Sequence, residues 1–209
     1  LYIVLLAILK AGKAFCPLNL DTPDERLKFI LSDVSADLLI TNTAHLDRMR
    51  SMHEVRTICA DRELLNGSET NTLALPHVDS TNLAYVLYTS GSTGIPKAVS
   101  VSHRAVTQSL LAHNSHIPDF VRFLQFAAPT FDVSIFEIFF SWFRGRTLVG
   151  CLRERMLEDL PATIQTLEAD AAELTPTVVG NLLRGRSSVP GLRLLLTIGE
   201  MLTKHVVLE

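Results

Sequence analysis

Leu83-Ala84-Tyr85-Val86-Leu87-Tyr88-Thr89-Ser90-Gly91-Ser92-Thr93-Gly94-Ile95-Pro96-Lys97-Ala98-Val99-Ser100-Val101-Ser102 is the stretch on which the reading of this chain turns. An apolar run enters it, six consecutive hydroxyl or glycine residues (89–94) fill its middle, and a single lysine closes it. Glycine lets backbone N–H groups approach an anion with no Cβ in the way. Thr89, Ser90, Ser92 and Thr93 add hydroxyl donors around Gly91 and Gly94, and Lys97 adds a cation. Converging donors of this kind suit a polyphosphate. A Ser/Thr/Gly cluster can also be a plain solvated turn. The unbroken run between two apolar segments favours the phosphate reading.

The spacing separates this loop from the common nucleotide motifs. A Walker loop places lysine directly after its last glycine and opens a helix; here Ile95 and Pro96 intervene and no Ser or Thr follows Lys97. Residues 98–102 alternate apolar and polar, which is a strand period. Pro96 disfavours helix at Ile95. The loop is therefore expected to join strand to strand. The dinucleotide fingerprint G-x-G-x-x-G is absent.

Residues 83–97, followed by Val101-Ser102-His103-Arg104, resemble the AMP-binding signature of adenylate-forming enzymes. The likeness is greatest to the adenylation domains of nonribosomal peptide synthetases. It implies an α/β fold of layered, mostly parallel sheets flanked by helices, part of the large N-terminal lobe of such enzymes. It implies that Thr89 to Gly94 and Lys97 hold the β- and γ-phosphates of ATP, with Mg²⁺ bridging phosphates, while a carboxylate attacks the α-phosphate. His103 stands where the family has a histidine near the acyl and phosphate groups; a lone histidine is otherwise more often a surface or capping residue. Ala98 departs from the family, which has glycine after the lysine.

Composition agrees with a globular α/β chain. The 209 residues are 47% hydrophobic and 20% charged. A formal charge of −3 suggests no basic face for nucleic acid. Cys16, Cys59 and Cys151 stand far apart without C-x-x-C, so no disulfide framework, zinc site or other metal site is indicated. Isolated thiols suit a reducing, cytoplasmic compartment. The apolar run 1–9 is shorter than the about 20 residues a membrane span needs, and it reads as a buried helix closed near Gly12. No signal peptide or membrane association is expected.

Thr22-Pro23-Asp24-Glu25 predicts a helix start, with Thr22 as N-cap and Glu25 completing a capping box. Leu27, Ile30, Leu31 and Val34 then form one buried face. Strands are expected at 37–40, 55–59, 83–88, 98–102, 122–127, 147–150 and 172–174, and a buried strand at 192–197. Helices are expected at 104–113, 132–143 (ending at Gly145), 161–168 and 176–184, with another at Lys204. Residues 66–80 read as a surface connection. Such alternation means an α/β layered fold with mostly parallel strands.

Pro129-Thr130-Phe131-Asp132-Val133-Ser134-Ile135-Phe136-Glu137 joins a strand end to a helix start. By itself Asp132 reads as an N-cap. The segment also resembles the FDxS block of amino-acid-activating domains, in which the aspartate pairs with the substrate's α-ammonium. An ammonium entering an apolar pocket needs such a counter-charge. The resemblance further implies substrate-binding roles for Val133, Phe136, Glu173, Leu196 and Ile198. It sets Gly199 and Glu200 near the nucleotide and the amino acid, with Ile198 replacing a family glycine. A carboxylate at Glu173 among apolar neighbours implies a substrate side chain that is cationic or donates a hydrogen bond. The alternative is that Glu173 caps an element or faces water. The pairs Arg144/Arg146 and Arg184/Arg186 read as solvated helix ends.

The implied reaction is ATP-dependent activation of an amino acid as its adenylate. The product would pass to phosphopantetheine on a partner carrier domain, with carrier and condensation domains in the same multidomain chain. The sequence opens without Met and stops at Val206-Val207-Leu208-Glu209 inside an apolar-periodic segment, so residues 1–209 are expected to be part of an adenylation domain, cut at both ends and lacking the C-terminal lobe, and inactive alone. Two other classes remain open at this point: an acyl- or aryl-CoA ligase of the same superfamily, and a non-catalytic remnant or binding module.

Overall fold

Short apolar runs build most of the strands of this chain, and apolar spacing of three and four gives helices such as the one bearing Leu27, Ile30 and Leu31 their buried face. The computed structural model describes residues 1–52, 55–61, 74–89, 96–183, 185–202 and 204. They form two compact units, Leu1–Val106 and Thr107–Glu209.

In the first unit, helix α1 (Tyr2–Lys10) ends at Gly12, whose φ of +71° favours glycine. The helix is not the buried one expected. Of its residues Leu5 is buried, while Tyr2, Ile3 and Leu6 are exposed. Apolar residues on every side leave no polar stripe to mark an outward face. Helix α2 (Asp24–Asp33) buries Leu27, Ile30 and Leu31 as the spacing predicts. Its start lies one residue later than expected, with Pro23 at the cap position and no side-chain capping bond. Arg48 accounts for the change: it donates to the Thr22 carbonyl at 3.0 Å and to the Asp24 carboxylate at 2.7 Å.

Strands β1 (Leu38–Thr41) and β2 (Arg56–Cys59) pair in parallel, with helix α3 (Leu46–Met52) between them in sequence. Leu27, Leu31, Leu39, Met49 and Met52 pack as one core cluster. Strands β3 (Leu83–Thr89) and β4 (Lys97–Ser102) form an antiparallel pair, so the strand-to-strand junction read from the sequence is a hairpin. The two strands differ in environment. Ala84 to Leu87 are buried in β3, whereas Lys97 to Ser100 are exposed in β4. Tyr85 stacks on Phe15 with ring centroids 5.7 Å apart, and the Tyr88 hydroxyl donates to Asp33 at 2.5 Å.

Helix α4 (His103–Asn114) leads to the second unit, which is built on a parallel sheet of order β6-β5-β7-β8. Its strands are β5 (Arg122–Leu124), β6 (Thr147–Val149), β7 (Ala171–Leu174) and β8 (Leu194–Thr197). Helices α5 (Asp132–Phe143), α6 (Arg153–Glu158), α7 (Leu160–Thr166) and α8 (Pro176–Val178) complete it. Alternation along the strands gives the sheet two apolar faces. Phe123 and Ala171 face an aromatic cluster with Phe120 and Phe140, flanked by Phe136, Leu194 and Leu196. Leu124, Val149, Ala172 and Leu174 face Met156, Leu160 and Ile164 on α6 and α7.

Several sequence expectations shift here. Residues 176–184 do not make one regular helix: α8 passes into a π turn, Val179–Leu183. Strand β8 is half-buried and exposed by turns rather than buried. Arg144 is not a solvated helix end, since it donates to the Pro118 and Ile117 carbonyls and lies over the Phe140 ring at 4.9 Å. The Arg184/Arg186 pair lies outside the described side chains, and so does the helix expected beyond Lys204. Of the connection at 66–80, residues 74–80 are described, irregular and mostly exposed.

Candidate functional site

Thr89 and Lys97 are cross-strand partners at the end of the β3–β4 hairpin where the chain passes from one strand to the other, both exposed. The Thr89 hydroxyl donates to the Lys97 carbonyl at 3.5 Å. Among the described residues Lys97 makes no ion pair, which leaves its ammonium available to an anion. Ser90, Gly91, Ser92, Thr93 and Gly94 lie outside the described residues. Ala98 pairs with Tyr88 in extended, exposed backbone, so its methyl group meets no obstacle in the strand. His103 opens α4, half-buried, and its backbone N–H donates to the Asn82 carbonyl at 3.0 Å.

The second set of candidate residues gathers in the other unit, at the carboxyl ends of β5, β7 and β8. In open parallel sheets this edge is where ligands bind. Asp132 is the first residue of α5 and is exposed. It is not the N-cap; Phe131 holds that position, and one Asp132 oxygen accepts from the Val133 N–H at 3.0 Å. Asp132, Phe136 and Phe140 recur every four residues, so one stripe of the helix carries all three. Phe136 and Phe140 stack at 4.7 Å and pack over the sheet face that holds Ala171. Val133 is half-buried on the same first turn.

Glu173 sits near the end of β7, two residues beyond Ala171, and therefore on that same sheet face. Leu196 of β8 is its cross-strand partner. Only 8% of Glu173 is exposed, so it neither faces water nor caps a helix. Burial pushes its carboxyl up to about 7, and the Asp132 charge adds to the rise. Ile198 follows β8 and is 41% exposed. Gly199 has φ of +83°, a conformation that favours glycine. The Glu200 carboxylate accepts from the Thr177 N–H at 3.0 Å and from the Thr177 hydroxyl. Among the described residues no group of three or more His, Cys, Asp or Glu could hold a metal ion.

The family profile described as AMP-binding enzyme matches residues 1–209. The chain belongs to the AMP-binding enzyme family. Over all of its length it is 70% identical to nonribosomal peptide synthetase 2 of Cochliobolus heterostrophus, of which it spans 4%. It is 39% identical over 99% of its length to the hydroxamate-type ferrichrome siderophore peptide synthetase of Schizosaccharomyces pombe, again spanning 4%. In structure it is similar to IdnL7, with 28% identity and a TM-score of 0.82 over 99% of this chain and 45% of that one. The N-terminal subdomain of Klebsiella oxytoca NpsA shares the fold, with a TM-score of 0.82 over 99% of this chain and 53% of that one. The fold is that of the N-terminal lobe of adenylate-forming enzymes.

One residue of this AMP-binding chain was given no role by sequence reading. Glu137, on α5, is wholly buried, and its carboxylate accepts from the Phe126 and Ala127 N–H groups at 3.1–3.2 Å and from Gln125 Nε2 at 3.4 Å. Those two N–H groups turn toward Glu137 instead of continuing the ladder, which is why β5 stops at Leu124 and not at residue 127. Burial pushes Glu137 up to about 8; the backbone donors pull the other way, and the nearby Glu173 charge adds to the rise. A lone charge inside the apolar helix sequence Val133-Ser134-Ile135-Phe136-Glu137-Ile138-Phe139-Phe140 was the signal available.

Proposed function

We propose that this chain is part of an adenylation domain that uses ATP to activate an amino acid as its adenylate, within a larger nonribosomal peptide synthetase. The observation that carries the proposal is the exposed Asp132 carboxylate at the carboxyl edge of the parallel sheet, beside the aromatic stripe of α5 and the Glu173 carboxyl. A carboxylate there suits the α-ammonium of an amino acid and has no counterpart to meet in a fatty or aryl acid. Family membership and the likeness to peptide synthetases support the same reading.

In the reaction, a carboxylate oxygen of the amino acid forms a bond to the α-phosphorus as the bond to the pyrophosphate oxygen breaks. Asp132 holds the ammonium end so that the carboxylate is presented, with Val133, Phe136, Leu196 and Ile198 along the side chain. Lys97 and Thr89, with Ser90 to Gly94, neutralise and bind the phosphates, and positioning together with charge neutralisation carries the rate. The donor set at the hairpin fits a triphosphate, since an exposed hydroxyl and an exposed lysine stand there on paired residues and Lys97 makes no ion pair among the described residues. Mg²⁺ would arrive on the phosphates and spread their charge. His103, Gly199 and Glu200 complete the residues assigned to the acyl and nucleotide groups.

The adenylate would pass to a phosphopantetheine thiol on a carrier domain, with condensation domains in the same chain. The likeness to a ferrichrome siderophore peptide synthetase supports a siderophore peptide as product. The decisive experiment is ATP–pyrophosphate exchange by the full-length protein with a panel of amino acids and a panel of free fatty and aryl acids. Exchange driven by amino acids and lost in Asp132→Ala is expected. Exchange driven by fatty or aryl acids alone would overturn the proposal.

A further inference from the structure

Strand β3 is held firmly along most of its length and lightly at its end. Ala84 to Leu87 are buried, and Phe15 runs beside them: its N–H donates to the Ala84 carbonyl at 3.2 Å, and its carbonyl accepts from the Val86 N–H at 2.9 Å. Past Leu87 the strand leaves the core, with Tyr88 half-buried and Thr89 exposed. There it pairs with Ala98 and Lys97 of β4, which are themselves exposed. The Thr89 hydroxyl meets the Lys97 carbonyl at 3.5 Å, longer than an ordinary O–H···O bond.

Among the described residues one side-chain hydrogen bond ties this end of β3 to an element outside the hairpin. The Tyr88 hydroxyl donates to the Asp33 carboxylate at 2.5 Å, across 55 residues of sequence. So short a bond suits an ionised acceptor. Asp33 is the last residue of α2, whose last turn carries no basic residue. A carboxylate there sits at the negative end of the helix dipole, an unfavourable place by itself. Among the described residues no Lys or Arg pairs with it. What Asp33 does hold is Tyr88. Burial, and after it the bond to Asp33, push the Tyr88 hydroxyl well above its ordinary range, so it remains a donor. The helix beneath is a fixed base: Leu27 and Leu31 pack with Leu39, Met49 and Met52, and Arg48 grips Asp24 at its start.

We infer that Tyr88 and Asp33 are positioning residues for the hairpin: their bond fixes the end of β3 against α2, and through the strand pair it fixes Thr89 and Lys97 where they meet ATP. The inference rests on the reading of the hairpin as the triphosphate site and adds the contact that preorganises it. In this role neither residue needs to touch the nucleotide. Thr89 follows Tyr88 directly, and Lys97 precedes its cross-strand partner Ala98, so a shift at Tyr88 passes to both. A misplacement of about 1 Å can cost on the order of 10²-fold in rate. Losing this tether loosens the hairpin without removing its donors, so the cost is smaller than that.

The test is ATP–pyrophosphate exchange by the full-length protein, with KM measured separately for ATP and for the acid that drives exchange. Tyr88→Phe removes the hydroxyl and keeps the ring. It is expected to raise the KM for ATP by about tenfold and to leave the KM for the acid within about twofold. Asp33→Leu should match it. Asp33→Asn keeps an acceptor oxygen for the Tyr88 hydroxyl and should stay within about threefold of the parent protein. The double variant Tyr88→Phe/Asp33→Leu should be no worse than either single one, because both remove the same bond. An unchanged KM for ATP in Tyr88→Phe, an equal rise in both KM values, or losses that multiply in the double variant would overturn the inference, whatever the urea midpoint does. If Lys97→Ala still loses exchange, the phosphate reading stands without it. Full exchange in Lys97→Ala would overturn that reading and the inference together.

Discussion

At the β3–β4 hairpin the side chains offered to a ligand, Thr89 and Lys97, are exposed donors carried on a strand pair. At the carboxyl edge of the four-stranded sheet, Glu137 and Glu173 are buried acceptors set between helix and strand. The difference shows two ways of making a polar site. The hairpin keeps its groups in water, where neither hydroxyl nor ammonium carries a desolvation penalty, and the anion proposed to bind there would draw them together. The sheet edge places carboxyl groups where burial disfavours their charge, so each demands a specific partner.

The largest effect expected from breaking the hairpin is catalytic. Lys97→Ala should lower kcat for pyrophosphate exchange in the full-length protein by up to about 10³-fold, the loss typical of a donor that stabilises developing charge. The urea midpoint should not move, because the side chain is exposed and makes no ion pair among the described residues. A shifted midpoint would assign Lys97 to the fold instead.

At the sheet edge the largest effect should be on stability. Glu137→Leu strands the Phe126 and Ala127 N–H groups and should cost about 3 kcal/mol in chemical denaturation. Asp132→Asn should raise the KM for the amino acid by roughly 10²-fold with little change in stability, since the carboxylate is exposed and its bond to Val133 survives in the amide. An unchanged KM would remove Asp132 from substrate binding.

The pH dependence follows from the same contrast. Glu137 and Glu173 are raised to about 8 and about 7, so the folded state holds their protons at pH values where the unfolded chain has lost them. Their contribution to stability is therefore greatest at acid pH. It declines as pH climbs from the ordinary carboxyl range through about 7 to 8. Urea midpoints at pH 5, 7 and 9 should fall in that order, and Glu137→Gln should flatten the decline. The smallest effect is expected at Ala98→Gly, which restores the family's residue in an exposed strand position. Its cost should be about 0.5 kcal/mol, with pyrophosphate exchange unchanged within about twofold.

The hairpin was legible in residues 83–102 because its signals are local. A short apolar run, a stretch of loop-forming residues and then a strand-period alternation read as strand, connection, strand. The helix at Asp132–Phe143 was equally legible, since the apolar run and Gly145 bound it on the sequence alone. From the sequence Glu173 reads either as a pocket wall or as a residue that caps an element or faces water, and nothing local chooses between them. Local sequence carries no information about which strand lies opposite. Glu137 had no assigned role for a related reason: its partners, Phe126 and Ala127, are eleven and ten residues away and use backbone atoms that look alike at every position. Arg48 acts in the same fashion: it holds the Thr22 carbonyl and the Asp24 carboxylate, and the capping box that the spacing of Thr22 and Glu25 foretells does not form.

By itself the sequence determined the elements, the alternation of strand and helix, and the donor-rich turn with its lysine, because each depends on residues within a few positions of one another. Tertiary structure alone decided which carboxyl groups are buried, which of them is satisfied, and how long β5 runs. Those properties depend on neighbours brought together across the sheet, where the loss of water makes the presence or absence of one partner atom the controlling quantity.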